Sequence, residues 1–288
     1  MAETTFKQKT NLQKILSRFF ARKIAVVGMV IILLLALLAV FGSYLTSYAP
    51  DEINALERYE GPSAQHIFGT DDLGRDTFAR IVDGAQITLI IMVGSVSIAL
   101  IFGTLFGLLA GYVGGALDTI LSGLMDSLWA FPAIILAMAI NTALGSNIRN
   151  IFIAIGIVYI PDFFRVVRSR VISIREMEYV TGARAIGLRD WKIMGRYVLP
   201  NLYSTLVVQT TLCCAKAVIA EASLSFLGLG VPLPHASWGT MLKNGYAVLL
   251  WTPWLSIFPG LMIMLLVMSL NLVGDGLRDA LDVRIRAD

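Results

Sequence analysis

Six stretches of this chain are long and apolar enough to cross a lipid bilayer, and nothing else about the sequence restricts its fold as strongly. A hydrocarbon core about 30 Å thick takes around 20 residues of helix at about 1.5 Å rise each. The runs 24–45, 87–112 and 254–274 carry no charge. The run 119–144 is interrupted only by Asp126, and 201–221 carries Lys216 and ends at Glu221. The run 151–170 is the weakest, broken by Asp162, with Arg165 close to one end. In lipid each backbone N–H and C=O must be satisfied within its own segment, so such runs fold as helices. Composition agrees: of 288 residues 57% are hydrophobic and 15% charged, with a mean hydropathy of +0.74. Soluble domains are nearer 45–50% apolar and about 25% charged. A disordered chain, a nucleic-acid-binding module and an ordinary soluble enzyme are excluded, and an all-α membrane protein with six transmembrane helices is expected.

Lys and Arg gather on one side of six such spans. The segment before the first run holds Lys7, Lys9, Lys14, Arg18, Arg22 and Lys23. The segment between the fourth and fifth holds Arg165, Arg168, Arg170, Arg175, Arg184, Arg189, Lys192 and Arg196, and the tail holds Arg278, Arg284 and Arg286. Cytoplasmic flanks carry the excess of basic residues. Both termini and the 165–200 loop are therefore expected in the cytoplasm and segment 46–86 outside. The first run is too long for a signal-peptide core and follows a polar stretch, so it reads as an uncleaved anchor. The organisation expected is a cytoplasmic segment 1–23, a first span 24–45, an outer loop 46–86, a core 87–274 that includes a cytoplasmic loop 171–200, and a tail 275–288.

Within this frame several patterns stand out. Leu12, Ile15, Leu16, Phe19 and Phe20 follow helical spacing with Lys14, Arg18 and Arg22 on another face, which predicts a basic amphipathic helix lying on the inner leaflet. Ser95, Ala99, Gly103, Gly107 and Gly111 recur every four residues. Such a ridge of small residues lets two helix backbones approach closely in lipid, either within the chain or against a second subunit at Gly103, Gly107 and Gly111. Phe78, Ile81 and Val82 suggest a short surface helix before the second span. Trp238, Trp251 and Trp254 suit an aromatic belt at the outer interface. Cys213 and Cys214 are adjacent in an apolar run and support neither a disulfide framework nor a zinc site.

Groups for bond-breaking chemistry are missing. No HExxH, no GxSxG and no potassium-type filter occurs, and neither His66 nor His235 falls in an apolar run. Gly182 and Gly187 have the spacing that opens a phosphate loop, but Leu188 and Arg189 stand where Lys and Ser or Thr are needed. The chain is not expected to hydrolyse ATP itself or to bind a cofactor or metal.

The cytoplasmic loop is the most informative region. Residues 178–187 are rich in helix formers and stop at a glycine, as a short C-capped helix does. Trp191, Ile193, Met194 and Val198 alternate with charge before Leu199 and Pro200. Facing the cytosol, this piece is either a protein contact or a solvated connection. Here the chain resembles the permease subunits of binding-protein-dependent ABC importers. Their signature is Glu-Ala-Ala, three residues, Gly, nine residues, Ile, one residue, Leu-Pro. Thr181, Gly182, Ala183, Gly187, Tyr197, Leu199 and Pro200 keep that spacing, with Thr181, Gly182 and Tyr197 departing from the consensus types. The strings HIFGTDDLGRD at 66–76, EASLSFLGLG at 221–230, SWGTML at 237–242 and NLVGDGLRDALD at 271–282 resemble the dipeptide/oligopeptide/nickel group, and its "C"-type permease in particular.

The resemblance implies the type I ABC importer permease fold in a bacterial inner membrane. It implies a second, "B"-type permease, two ATPase subunits that hold ATP and Mg²⁺, and an extracytoplasmic binding protein. It also implies that Thr181, Gly182, Ala183, Arg184, Gly187, Leu188, Leu199 and Pro200 form the contact that couples the chain to an ATPase. The substrate it implies is a di- or oligopeptide, with nickel, a metallophore or glutathione as alternatives. No nucleic-acid partner is expected. A non-transporting membrane scaffold or receptor subunit accounts for the spans but not for the 181–200 spacing.

Ionisable residues inside a span are costly and face a cavity or a partner. Thr205, Gln209, Cys213 and Lys216 form one polar stripe on the fifth span, either lining a translocation path, together with Asp126, or buried against another helix. Asp162 precedes Arg165 by three, which predicts a local helix pair. Glu221, near an outer end, is expected to be solvated or interfacial.

Overall fold

The computed structural model describes residues 11–145 and 147–281. The chain-order helices are α1 (Asn11–Ala21), α2 (Lys23–Phe41), α3 (Thr77–Val113), α4 (Gly115–Trp129), α5 (Ala133–Leu144), α6 (Ile148–Arg175), α7 (Glu178–Ala185), α8 (Asp190–Ile193), α9 (Tyr203–Phe226), α10 (Trp238–Ala247) and α11 (Trp254–Leu281). Among the described residues five helical stretches have the length and apolarity to cross a membrane, and α4 with α5 forms a sixth that is bent by 92°. Lys7, Lys9, Arg284 and Arg286 lie outside the described residues.

The bend corrects the straight third span. Phe131 and Pro132 break the run: a residue before proline is pushed away from the α-helical region, and Pro132 is extended at ψ 128. The expected surface helix near Phe78 is likewise the first turns of α3, which runs unbroken for 37 residues. At about 1.5 Å per residue α3 is roughly 55 Å long, well beyond a bilayer core.

α3 packs along α6 through the glycine ridge. A methyl group on Gly107 would sit 2.8 Å from the Phe164 carbonyl oxygen and 2.9 Å from Val167 Cβ, and one on Gly111 would sit 2.9 Å from the Arg168 carbonyl oxygen. Gly103 is covered by Ile160, Phe163 and Phe164. The ridge is thus filled within the chain, the first of the two alternatives, and Gly103, Gly107 and Gly111 are not left free to pack against a second subunit. α6 answers with Gly156 against Ser95 and Ile98. α2 lies on α11, where Gly28 meets the Ser269 carbonyl and Leu272, and α9 lies between α3 and α11. α1 places Phe19 and Ile15 against α2 and α11, while Leu16 and Phe20 stay exposed. Arg22 pairs with Asp279 at the same end.

Trp238 is not part of a belt. It is fully buried, and its indole N–H donates to the Ile81 carbonyl at 3.0 Å, which fixes α10 to α3. Glu221 is not solvated either: it is 1% exposed and accepts from Ser225 Oγ at 2.7 Å. Cys213 and Cys214 are free thiols.

The 66–76 string folds into a clamp at the start of α3. Asp76 caps the helix by accepting from Ala79 N–H at 2.7 Å, and its other oxygen lies 2.9 Å from His66 Nδ1. His66 Nε2 lies 3.2 Å from Glu57 Oε2, and the ring packs tilted against Tyr48 with the centroids 4.7 Å apart. Asp71 accepts from Leu73 and Arg75 N–H and pairs with Arg75 at 2.7 Å and Arg80 at 3.4 Å. Gly74, at φ +75, passes beneath the Asn54 carbonyl in a conformation that side chains resist. Burial disfavours a charge on His66, but hydrogen bonds to Asp76 and Glu57 outweigh it and raise the imidazole above its ordinary value of 6.5.

Two outcomes follow from this packing. Gly107→Ile overpacks the α3–α6 contact and is expected to destabilise by about 1–3 kcal/mol. Gly123→Ala, with open space around it, is expected to be neutral or slightly stabilising. Thermal unfolding of the purified proteins in detergent compares the two. Since the folded pKa of His66 lies above the unfolded one, its protonated clamp contributes fully below about pH 6.5 and fades as pH rises through the folded value. Protection factors of the amides of residues 57–76, the intrinsic exchange rate at each pH divided by the measured one, are expected to be larger at about pH 5.5 than at about pH 8.5, and His66→Gln is expected to flatten that difference.

Candidate functional site

Polar side chains that are isolated in sequence meet on one face of the bundle. Positions three apart share a helix face, so Asp126 and Trp129 stand together on α4, and Asp162 and Arg165 on α6. The two helices run antiparallel and are bridged rung by rung. Arg168 grips Asp118 with both forks, at 2.5 and 2.6 Å. Arg165 donates to Asp126 at 2.7 Å and lies 3.6 Å over the Trp129 ring. Trp129 Nε1 donates to Asp162 Oδ1 at 3.1 Å. Lys216 of α9 then donates to the other Asp162 oxygen at 2.6 Å, and Tyr159 OH donates to the Lys216 carbonyl at 3.3 Å. Asp162 therefore does not pair with Arg165 three residues on; each takes a partner from another helix.

The 92° bend opens a cleft beside this seam. It measures about 410 Å³ and is lined by Trp129, Phe131, Val158, Tyr159, Asp162 and Lys216. A second cleft of about 420 Å³, further along α6, is lined by Arg165, Ser169, Arg170, Ser173 and Thr205. Of the stripe expected on α9, Lys216 reaches the first cleft and Thr205 the second, with Gln209 half-buried between them. Cys213 does not belong to it: the residue is fully buried in the apolar core and lines neither cleft. Asp126 is exposed beside its Arg165 partner. Along this face charges are expensive in lipid, about 2.5–3.5 kcal/mol each for Lys, Arg or Asp at mid-span, so the face requires water or another polypeptide over it.

The other distinctive feature is the end of α6. Met177 turns the chain and α7 begins at Glu178. Its C-terminus is a Schellman motif: Leu188 N–H donates to the Ala183 carbonyl at 3.2 Å and Gly187 N–H to the Arg184 carbonyl at 3.0 Å. Gly187 adopts φ +79, with no atom within 4 Å of where a Cβ would sit. Glycine is favoured there by backbone conformation alone. Val180 and Ala183 bury one face of α7, while Thr181, Gly182, Arg184, Ile186 and Trp191 are exposed on the outer surface. Tyr112, at the end of α3, donates to Asp190 at 2.8 Å and lies 5.5 Å beneath the Arg184 guanidinium. Arg175 donates to the Tyr112 carbonyl at 3.2 Å. Leu188 is half-buried against the apolar cluster under the loop, and Leu199 and Pro200 lead into α9 through a 3₁₀ turn.

Both features fall within one region that matches a known family. Residues 103–287, which include α6, α7 and α9, match the family described as binding-protein-dependent transport system inner membrane component. The chain belongs to that family. Residues 10–62 match the N-terminal transmembrane domain of oligopeptide transport permease C. A dipeptide transport system permease protein of Alkalihalophilus pseudofirmus is 46% identical over 92% of this chain and 87% of its own length. A glutathione transport system permease protein of Pectobacterium atrosepticum is 40% identical, covering 94% and 90%. An oligopeptide transport system permease protein of Bacillus subtilis is 37% identical, covering 99% and 94%. The protein is a "C"-type ABC importer permease with the type I fold, a multi-pass protein of the bacterial inner membrane, and its family is one of transport rather than enzymes.

Sequence reasoning found α7, its capping glycine and Lys216. It missed Trp129, Tyr159 and Tyr112, whose polar tips find partners on other helices. Gly187→Val is expected to unravel the Schellman turn, since a β-branched residue at positive φ costs about 1–2 kcal/mol. Gly187→Asn is expected to be tolerated. Measured against ATP consumed, substrate uptake should fall in the valine variant and persist in the asparagine one.

Proposed function

We propose that this chain forms half of the translocation path of an ATP-driven importer for di- and oligopeptides, and that α7 is the part a separate ATPase subunit grips. The observation that carries the first half is the charged seam Asp126–Arg165 and Asp162–Lys216, presented on an open face and flanked by two clefts. That face suits a second, "B"-type permease closing a water-filled path. The second half rests on α7: a rigid, capped helix with an exposed face bearing Thr181, Gly182, Arg184 and Ile186, tied to α3 through Tyr112.

In this reading two ATPase subunits hold ATP and Mg²⁺, and an extracytoplasmic binding protein delivers substrate to the end built from the 46–76 loop and α10. Both termini and the 165–200 loop face the cytoplasm, as the distribution of Lys and Arg favours. Peptide is the substrate class favoured by the relatives' names, and the glutathione permease keeps that tripeptide as a second candidate.

The path is testable residue by residue. In the assembled transporter, Lys216→Cys is expected to react with a polar, membrane-impermeant thiol reagent in at least one transport state. Val40→Cys, on the outward face of α2, is expected to resist it because it faces lipid. Protection of position 216 in every state removes the pathway, and failure of the purified chain to retain an ATPase subunit removes the importer.

A further inference from the structure

The cleft at the bend carries one acid and one base side by side, and little else that is polar. Asp162 is 10% exposed as a side chain, held from behind by Trp129 and from the front by Lys216. Lys216 is 54% exposed, and its ammonium uses one of three N–H donors on Asp162. Each carboxylate oxygen of Asp162 has taken one donor of the two it can accept. The remaining wall is aromatic and aliphatic: Trp129, Phe131, Val158 and Tyr159. A volume of about 410 Å³ falls within the range of about 300–1,000 Å³ for small-molecule sites, which combine apolar walls with a few convergent polar groups.

We propose that the Asp162–Lys216 pair is a weak recognition site inside the path for the two charged ends of a small zwitterionic peptide. Lys216 receives the peptide carboxylate and Asp162 the peptide ammonium, while the aromatic wall accepts side chains without selecting among them. This rests on the reading of the cleft as part of the translocation path. The chemistry suits passage. A lone buried charge holds an oppositely charged group tightly, whereas a pair that already satisfies itself gives up one interaction to gain another. Binding is then favourable enough for entry and weak enough for release. The pair also reads what all free peptides share, their termini, and ignores what differs among them. A metal ion is not the ligand the site suits: among the described residues no group of three His, Cys, Asp or Glu is placed to hold one.

The test uses the whole transporter in detergent, without binding protein, so that probe peptides meet the cleft directly. Ala133→Cys, on the cleft wall, is labelled with a polar thiol reagent, with the parent chain as background. Ala-Ala at twice its half-saturating concentration is expected to slow labelling about threefold, the mass-action factor 1 + [L]/Kd. N-acetyl-Ala-Ala-amide, which lacks both charges, is expected to leave the rate unchanged. Lys216→Gln and Asp162→Asn are each expected to abolish the protection by Ala-Ala. Because a single unpaired charge can disturb the fold, Lys216→Arg, which keeps the cation beside Asp162 and leaves the Trp129–Asp162 hydrogen bond in place, is a second variant, and it is expected to keep both the fold and the protection. Equal slowing by both peptides, no slowing by either while the introduced thiol reacts, or loss of protection in a folded Lys216→Arg variant overturns the proposal and leaves the path intact. A thiol at position 133 that never reacts in any state overturns the path itself, and this site with it.

Discussion

The contact between α3 and α6 is the constraint on which the rest of this molecule is built. In lipid the hydrophobic effect does not drive one apolar helix against another, so close packing and interhelical polar contacts must hold them. Gly103, Gly107 and Gly111 remove the side chains that would keep the backbones apart, and Phe163, Phe164, Val167 and Val171 fill the space from the other side. Once α6 is seated in this way, its opposite face is presented at a fixed angle. That face carries Asp162, Arg165 and Arg168, and its end delivers α7. Glycine spacing on one helix thus decides where the charges of another stand.

Those charges carry opposing demands. Isolated in hydrocarbon each is expensive, yet they stand together on one face of the bundle. The rungs between α4 and α6 reconcile the two by neutralising acid with base across a helix pair, leaving a surface that is polar without a large net charge. The kink before Pro132 completes the arrangement by swinging α5 aside, so that the rungs border a cavity instead of being sealed beneath a straight helix.

Much of this is legible in the residues alone, because the bilayer reduces the problem to run length and charge. All six runs reappear as helical stretches, and the helix ending at Gly187 is visible from its composition and its capping glycine. Where bounds move outward, helices continue past the hydrocarbon: α3 starts ten residues before its apolar run, where Asp76 caps it. The kink at Phe131 and Pro132 has a local signal in the proline, masked by the strong hydropathy around it. Glu221 offers a weaker one in Ser225, one turn on. The partners of Asp162 have no local signal at all. Arg165 is three residues away and chemically apt, but Lys216, 54 positions distant, takes the acid, because the seating of α6 points Arg165 toward α4. The 66–76 string is the opposite case: its form as a sequence is opaque, and its structure supplies a reason for nearly every residue, in a cap, a turn or an ion pair.

The unbroken length of α3 has a mechanical corollary. One tip is locked to the His66–Asp76 clamp, and the other ends on Tyr112, under Arg184 and bonded to Asp190. The helix is a single stiff lever between two compartments. A tilt of about 5° about its middle moves each tip of a rod about 55 Å long by roughly 2.4 Å, in opposite directions. That is on the scale of the shifts of about 1–2 Å by which packed helices commonly switch. Force applied at either tip therefore reaches the other as displacement, without any hydrogen bond within the rod having to break.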